Sequence, residues 1–110
     1  MALDMVNVAK EIYEAAHRLR KSSDILFSLA KEYAETEQIY RQALAKEKVK
    51  LREAGMTVSL IDDVAKGNTA KLKYDRDLAE FKFTAGKEKA RALQCEISAL
   101  QSIYRRQDEI

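Results

Sequence analysis

Large apolar residues recur at every seventh position in the first third of the chain. Ile12, Leu19, Leu26, Tyr33 and Tyr40 follow one another at intervals of seven. The positions three and four residues after each of them are mostly small or apolar. An apolar position kept at this interval forms one stripe along a helix, which packs against another helix. The pattern predicts a long helix with a coiled-coil surface rather than a substrate pocket.

Composition supports an all-α chain with a single domain. The 110 residues include no proline and only three glycines, and 35% are charged, as is typical of long helices. We expect a first helix over about residues 3–54, a connecting segment over 55–68 and a second helix over about 69–106. The two long helices are then predicted to pack antiparallel as one helical hairpin.

The connecting segment has its own start and stop signals. Gly55 is placed to end the first helix in the left-handed conformation. Ser59 followed by Asp62 resembles a capping box, and Gly67 is predicted to close a helix of one to two turns. Asn68 or Thr69 is expected to cap the second long helix.

The second helix carries two apolar stripes. One keeps a regular spacing of three and four residues from Phe83 to Tyr104. The other lies in the first half of the helix and consists of Tyr74, Leu78, Phe81 and Ala85. The two stripes are separated by roughly 130° on the helix surface. The first helix covers one stripe, and the other is predicted to pack on a second copy, which gives a homo-oligomeric helical bundle.

The residue types that carry catalysis or hold cofactors are scarce. His17 is the single histidine and is expected to be a surface residue. Cys95 is the single cysteine and is expected to be a small buried thiol. Asp62 and Asp63 lack the spacing of a calcium loop and are better explained by helix capping. The sequence therefore predicts no enzyme activity, no metal and no cofactor.

Several features bear on the compartment. No run approaches the length of about 18 apolar residues that a membrane span needs. Acidic residues follow the start of the chain at once, so that it does not read as a signal peptide. One unpaired cysteine fits a reducing compartment. We expect the protein in the cytoplasm, with no membrane partner.

Positive charge is concentrated in the middle of the chain. Residues 41–91 contain 13 Lys and Arg against 8 Asp and Glu. A hairpin is predicted to gather these residues at its turn, where a polyanion would be the natural partner. The alternative is that Lys interleaved with Glu and Asp forms only a solvated helix face with local ion pairs.

The layout of the chain resembles a known group of proteins over about residues 10–104. It has Tyr33, Tyr40 and Ala43 in register on the first helix, the basic helix end AKEKVKLREAG, a polar turn, and then KLKYDRDLAEFKF. This looks like the short coiled-coil proteins of phage replication and recombination modules, including the UvsY-like recombination mediators. The resemblance implies a phage-encoded oligomeric accessory protein in the host cytoplasm, which binds single-stranded DNA and a recombinase or replication partner. It also implies the DNA-contacting residues, which are Lys46, Lys48, Lys50, Arg52, Lys71, Lys73 and Arg76.

Two other kinds of protein fit the same layout. Secreted WXG-type hairpins carry a tyrosine-to-acidic signal after the second helix, and Tyr104 with Asp108 matches it, but the chain has no tryptophan for the Trp-x-Gly turn. A protein adaptor, such as a virion assembly factor, a chaperone or an inhibitor of a host protein, would dock through the second stripe. Leu60, Ile61 and Val64 in the connecting segment could serve the same purpose.

Overall fold

The chain is all-helical. The computed structural model describes residues 4–108, except for the side chain of Asp108. It contains helix α1 over Met5–Glu53, α2 over Val58–Asn68 and α3 over Ala70–Asp108, and no strand occurs within these described residues. The predicted all-α class is therefore confirmed, whereas the predicted start of the first helix at Leu3 lies outside the described residues.

Helix α1 ends as the sequence predicts. Gly55 has a φ of 84°, which is the left-handed conformation. Its N–H donates to the carbonyl of Arg52 at 3.0 Å, and the N–H of Met56 donates to the carbonyl of Leu51 at 3.1 Å. These two bonds form a Schellman motif, which satisfies carbonyls that the helix itself leaves without donors.

Helix α2 differs from the predicted short turn. It has 11 residues, and its N-cap is Thr57, whose side chain makes no capping hydrogen bond. Ser59 lies inside the first turn, so that the predicted capping box of Ser59 and Asp62 is wrong. Gly67 was expected to close this helix but lies within it, because its φ is not positive and the helix continues to Asn68.

A single residue, Thr69, separates α2 from α3. Its N–H and its hydroxyl both donate to the carbonyl of Ala65, at 3.1 and 2.8 Å. Its own carbonyl accepts the N–H of Lys73 at 3.1 Å, which is the first hydrogen bond of α3. Thr69 thus begins α3 with its backbone, while its buried side chain binds back to α2.

The chain divides into two compact units. The terminal unit consists of Met1–Ser28 and Thr84–Ile110, and the central unit consists of Leu29–Phe83. In the central unit Lys82 pairs with Glu32 and Arg76 pairs with Glu37, so that α1 and α3 run antiparallel there. In the terminal unit Arg18 of α1 pairs with Glu96 of α3 at 3.2 Å.

Each unit has a narrow core built largely from small side chains. The buried residues of the central unit are Tyr40, Ile61, Ala65, Thr69 and Ala79; those of the terminal unit are Val8, Ala15, Ser22, Ala90 and Leu93. The three residues with the least exposure are alanines. Alanine allows two helices to approach closely, but it removes little apolar surface from water.

The predicted seam on α1 is at the packed face. Tyr40 is buried, and Ile12, Leu19, Leu26 and Tyr33 are half-buried. Two other expectations are wrong. Cys95 is exposed, because two residues after the buried Leu93 a helix has turned through about 200°. Tyr104, the last residue of the predicted stripe that begins at Phe83, is also exposed.

Candidate binding surfaces

The second stripe of the long C-terminal helix points away from the core of the central unit. Tyr74, Leu78 and Phe81 are 61%, 43% and 78% exposed. We call these three residues the α3 stripe. The opposite side of the same helix segment contains buried Ala79 and half-buried Leu72 and Phe83, the last with its ring centroid 6.4 Å from that of Tyr33.

The edge of the α3 stripe is charged. The Lys71 ammonium lies 5.4 Å from the centre of the Tyr74 ring and 2.7 Å from a carboxylate oxygen of Asp75. A cation at this position interacts with the face of the ring. The predicted fourth member of the interface, Ala85, is exposed and belongs to the terminal unit.

Four of the seven cations expected to contact DNA are paired with carboxylates. Lys71 pairs with Asp75 at 2.7 Å and Lys73 pairs with Asp77 at 2.8 Å, both one helical turn apart. The other two, Lys48 and Arg76, take part in pairs between helices, which are described next.

Arg76 joins α3 to α1. Its Nη1 donates to Glu37 at 2.8 Å and its Nε donates to Asp77 at 2.9 Å, while its guanidinium lies 5.2 Å from the centre of the Tyr40 ring. Arg41 also donates to Glu37. Hydrogen bonds from Arg76 and Arg41 hold the pKa of Glu37 below its usual value. Arg76 is therefore part of the helix contact and is only one-fifth exposed.

Lys48 joins α1 to α2. The Asp62 carboxylate accepts from Lys48 and from Lys66, each at 2.9 Å. These two hydrogen bonds, the one from Lys48 first, lower the pKa of Asp62 to about 2. Asp62 therefore links α2 to α1 through an exposed ion pair and does not serve as the capping residue that the sequence predicts.

The remaining three cations are available to an anion. Lys46, Lys50 and Arg52 are exposed on the last two turns of α1, and none has a carboxylate partner among residues 4–108. The central unit as a whole is nearly neutral, with 11 Lys and Arg against 10 Asp and Glu. The charge counted over residues 41–91 leaves out Glu32 and Glu37 of α1. The register of the helices places these two carboxylates beside Lys82 and Arg76 of α3.

A shallow groove of about 470 Å³ lies beside the Arg76 pairs. Tyr40, Leu44 and Ala45 of α1 form its apolar part, and charged side chains form its rim. The rim cations Arg41 and Arg76 already share Glu37. The groove is thus a gap between paired side chains rather than an enclosed pocket with a convergent polar group.

Sequence reasoning missed some exposed apolar residues. On α2 the side that faces solvent contains Val58 and Leu60, whereas Ile61 is buried and Val64 half-buried. The suggested docking triad of Leu60, Ile61 and Val64 is therefore divided between two faces. On α1 the exposed apolar residues of the terminal unit include Val6, Tyr13 and Phe27, spaced by multiples of seven. This spacing places the three residues on one side of α1 and is visible in the sequence.

Groups suited to catalysis do not converge. His17 is exposed on α1 of the terminal unit, and Cys95 is exposed on α3. Among residues 4–108 no three His, Cys, Asp or Glu side chains are grouped so that they could hold a metal ion. Within the same range, no helix has both the length and the apolar character of a membrane span.

No family model, curated protein or solved structure matches the chain.

Proposed function

We propose that this chain is a non-enzymatic accessory protein that acts by binding a partner helix through the α3 stripe. The observation that carries this proposal is the exposure of Tyr74, Leu78 and Phe81 on one side of a helix whose opposite side is packed. The occupant is an amphipathic helix, because residues spaced by four and three form a ridge that fits between the apolar side chains of a second helix.

Two further observations support protein binding. Aromatic residues often contribute most to the binding free energy of an interface, and two of the three residues of the α3 stripe, Tyr74 and Phe81, are aromatic. Charged side chains at its edge, Lys71 with Asp75 and Lys73 with Asp77, provide a polar rim of both signs. An apolar centre with a polar rim is the usual anatomy of a protein interface.

Site-specific photocrosslinking tests this proposal. Benzoylphenylalanine is placed at Phe81 in the full chain, which is expressed in the cell that encodes it. Irradiation is expected to give discrete protein adducts from position 81. The matched control is the same label at Phe27, which is 74% exposed. The same adducts from both positions, or none from position 81, would contradict the proposal.

The structure offers one observation in favour of a second candidate function. Lys46, Lys50 and Arg52 have no carboxylate partner within the described residues and are available to phosphates. We propose, as this second candidate, an accessory role in phage-type DNA recombination or replication, in which single-stranded DNA contacts the end of α1. The contact set is then smaller than the seven cations that the resemblance implies.

Fluorescence anisotropy of a labelled single-stranded oligonucleotide at two salt concentrations tests DNA binding. Binding is expected to weaken several-fold or more at the higher salt, because each phosphate contact releases counterions. Changing Lys46, Lys50 and Arg52 together to glutamine is expected to abolish it. The control changes Lys71 and Lys73 to glutamine, which removes cations that already have carboxylate partners. No binding by the unchanged protein at low salt would exclude this function.

A further inference from the structure

The core of each unit contains few large apolar side chains. Ala15, Ala65 and Ala79 are the most completely buried apolar residues, and no described large side chain is fully buried. Large aromatic side chains, such as those of Phe81 and Tyr74, are exposed instead of buried. Burial of apolar area is the main favourable contribution to folding, so that covering such residues in an assembly would add to the stability of the chain.

The border of the α3 stripe complements itself. On a helical projection Lys71, Asp75 and Lys82 follow one edge, and Lys73 and Asp77 follow the other. Lys71 pairs with Asp75 and Lys73 pairs with Asp77 within the chain. Both signs are therefore present on one short surface, and a second copy can place an ammonium near a carboxylate. A strongly acidic or strongly basic partner would meet like charges at the same border.

We infer that the partner of the α3 stripe is a second copy of this chain, whose own α3 stripe packs against it. This inference rests on the proposed function, since it names the occupant of that surface. Phe81, Leu78 and Tyr74 of the two copies then form one continuous apolar layer between two helices. The contact is isologous, with the same residues contributed by each copy.

Light scattering after gel filtration of the full chain, at micromolar concentration, tests the inference. The unchanged protein is expected to have at least twice the mass of one chain. Phe81→Asp places a charge in the contact and is expected to reduce the mass to that of a smaller species. Phe27→Asp is the control, because Phe27 has nearly the same exposure. It is expected to leave the mass unchanged.

Two other results would overturn the inference in distinguishable ways. A monomer that binds an apolar fluorescent dye, with the dye signal lost in Phe81→Asp, would exclude self-association but keep the α3 stripe as a site for a different protein. An oligomer whose mass is the same with and without Phe81→Asp would show that the copies meet elsewhere, which overturns the inference and leaves the α3 stripe free for a different protein. Circular dichroism checks that each variant keeps its helices.

Discussion

At Gly55 the backbone has a φ of 84°, which L side chains rarely adopt. A Cβ built there meets nothing within 4 Å, so that the cost of a side chain comes from the backbone conformation alone. Gly55→Ala is expected to destabilise the fold by about 1–2 kcal/mol. Chemical unfolding followed by circular dichroism measures the change.

The matched control is the other glycine near the connection. Gly67 lies inside α2, where a Cβ also meets nothing within 4 Å. Gly67→Ala is expected to stabilise the fold by about 0.5–1 kcal/mol, because alanine loses less conformational entropy in a helix. Equal effects at the two positions would contradict the assigned conformations.

Asp62 gives a residue-scale prediction about pH. Its pKa is about 2 in the folded chain, held down by Lys48 and Lys66, and about 3.9 when unfolded. A depressed carboxylate pKa contributes stability that is complete above the unfolded value and is lost as pH falls through the folded value. The contribution is therefore present at neutral pH and is lost between about pH 4 and pH 2.

Comparison with Asp62→Asn isolates this contribution from other carboxylates. The unchanged protein is expected to melt at a slightly higher temperature than the variant at neutral pH, since an exposed ion pair contributes little. The two melting temperatures are expected to converge as pH falls from 4 towards 2. A difference that stays constant down to the lowest pH would show that Lys48 and Lys66 do not hold the charged form.

At the scale of elements, α2 is amphipathic and fixes the path between the long helices. Ile61 is buried, and its neighbour Leu60 is exposed. Ile61→Ala is expected to destabilise the central unit by about 2–4 kcal/mol, because it leaves a cavity between packed helices. Leu60→Ala is expected to change stability by no more than about 0.5 kcal/mol.

Denaturant unfolding of these two variants measures which face of α2 is packed. A larger loss for Leu60→Ala than for Ile61→Ala would reverse the assigned face of α2. Leu60 would then be the residue of α2 that packs against the rest of the chain. The adaptor surface suggested for the connecting segment would then have to be built from Ile61 instead.

The sequence predicts helices better than it predicts contacts between them. The heptad from Ile12 to Tyr40 and the stop at Gly55 depend on spacing and on one residue type, so that both could be read directly. The face of Cys95 could also have been read from spacing, since two residues beyond Leu93 lies nearly opposite on a helix.

The candidate site was only partly predictable. The members of the α3 stripe follow from their spacing. The neutralisation of Arg76 does not, because Glu37 lies 39 positions away and becomes its partner only when α1 and α3 pack in a particular register. Lys48 and Asp62 likewise meet only because α2 is a three-turn helix that packs on α1. Charge counted along the sequence therefore overstated the positive charge available to a polyanion.

For the whole molecule, self-association through the α3 stripe would make folding and association one process. Each unit has a small core, and Phe81 and Tyr74 are exposed, so that a second copy covering these two rings would stabilise the fold. An assembly that forms only from folded chains raises the melting temperature as concentration rises. Stability should therefore depend on how much protein is present.

The most direct measurement is thermal unfolding by circular dichroism at two protein concentrations a hundredfold apart. The melting temperature of the unchanged protein is expected to be higher by several degrees at the higher concentration, whereas Phe81→Asp is expected to melt at one temperature at both concentrations. Coincident melting curves for the unchanged protein would exclude stabilisation by self-association, because a chain that folds without a second copy has a stability independent of concentration.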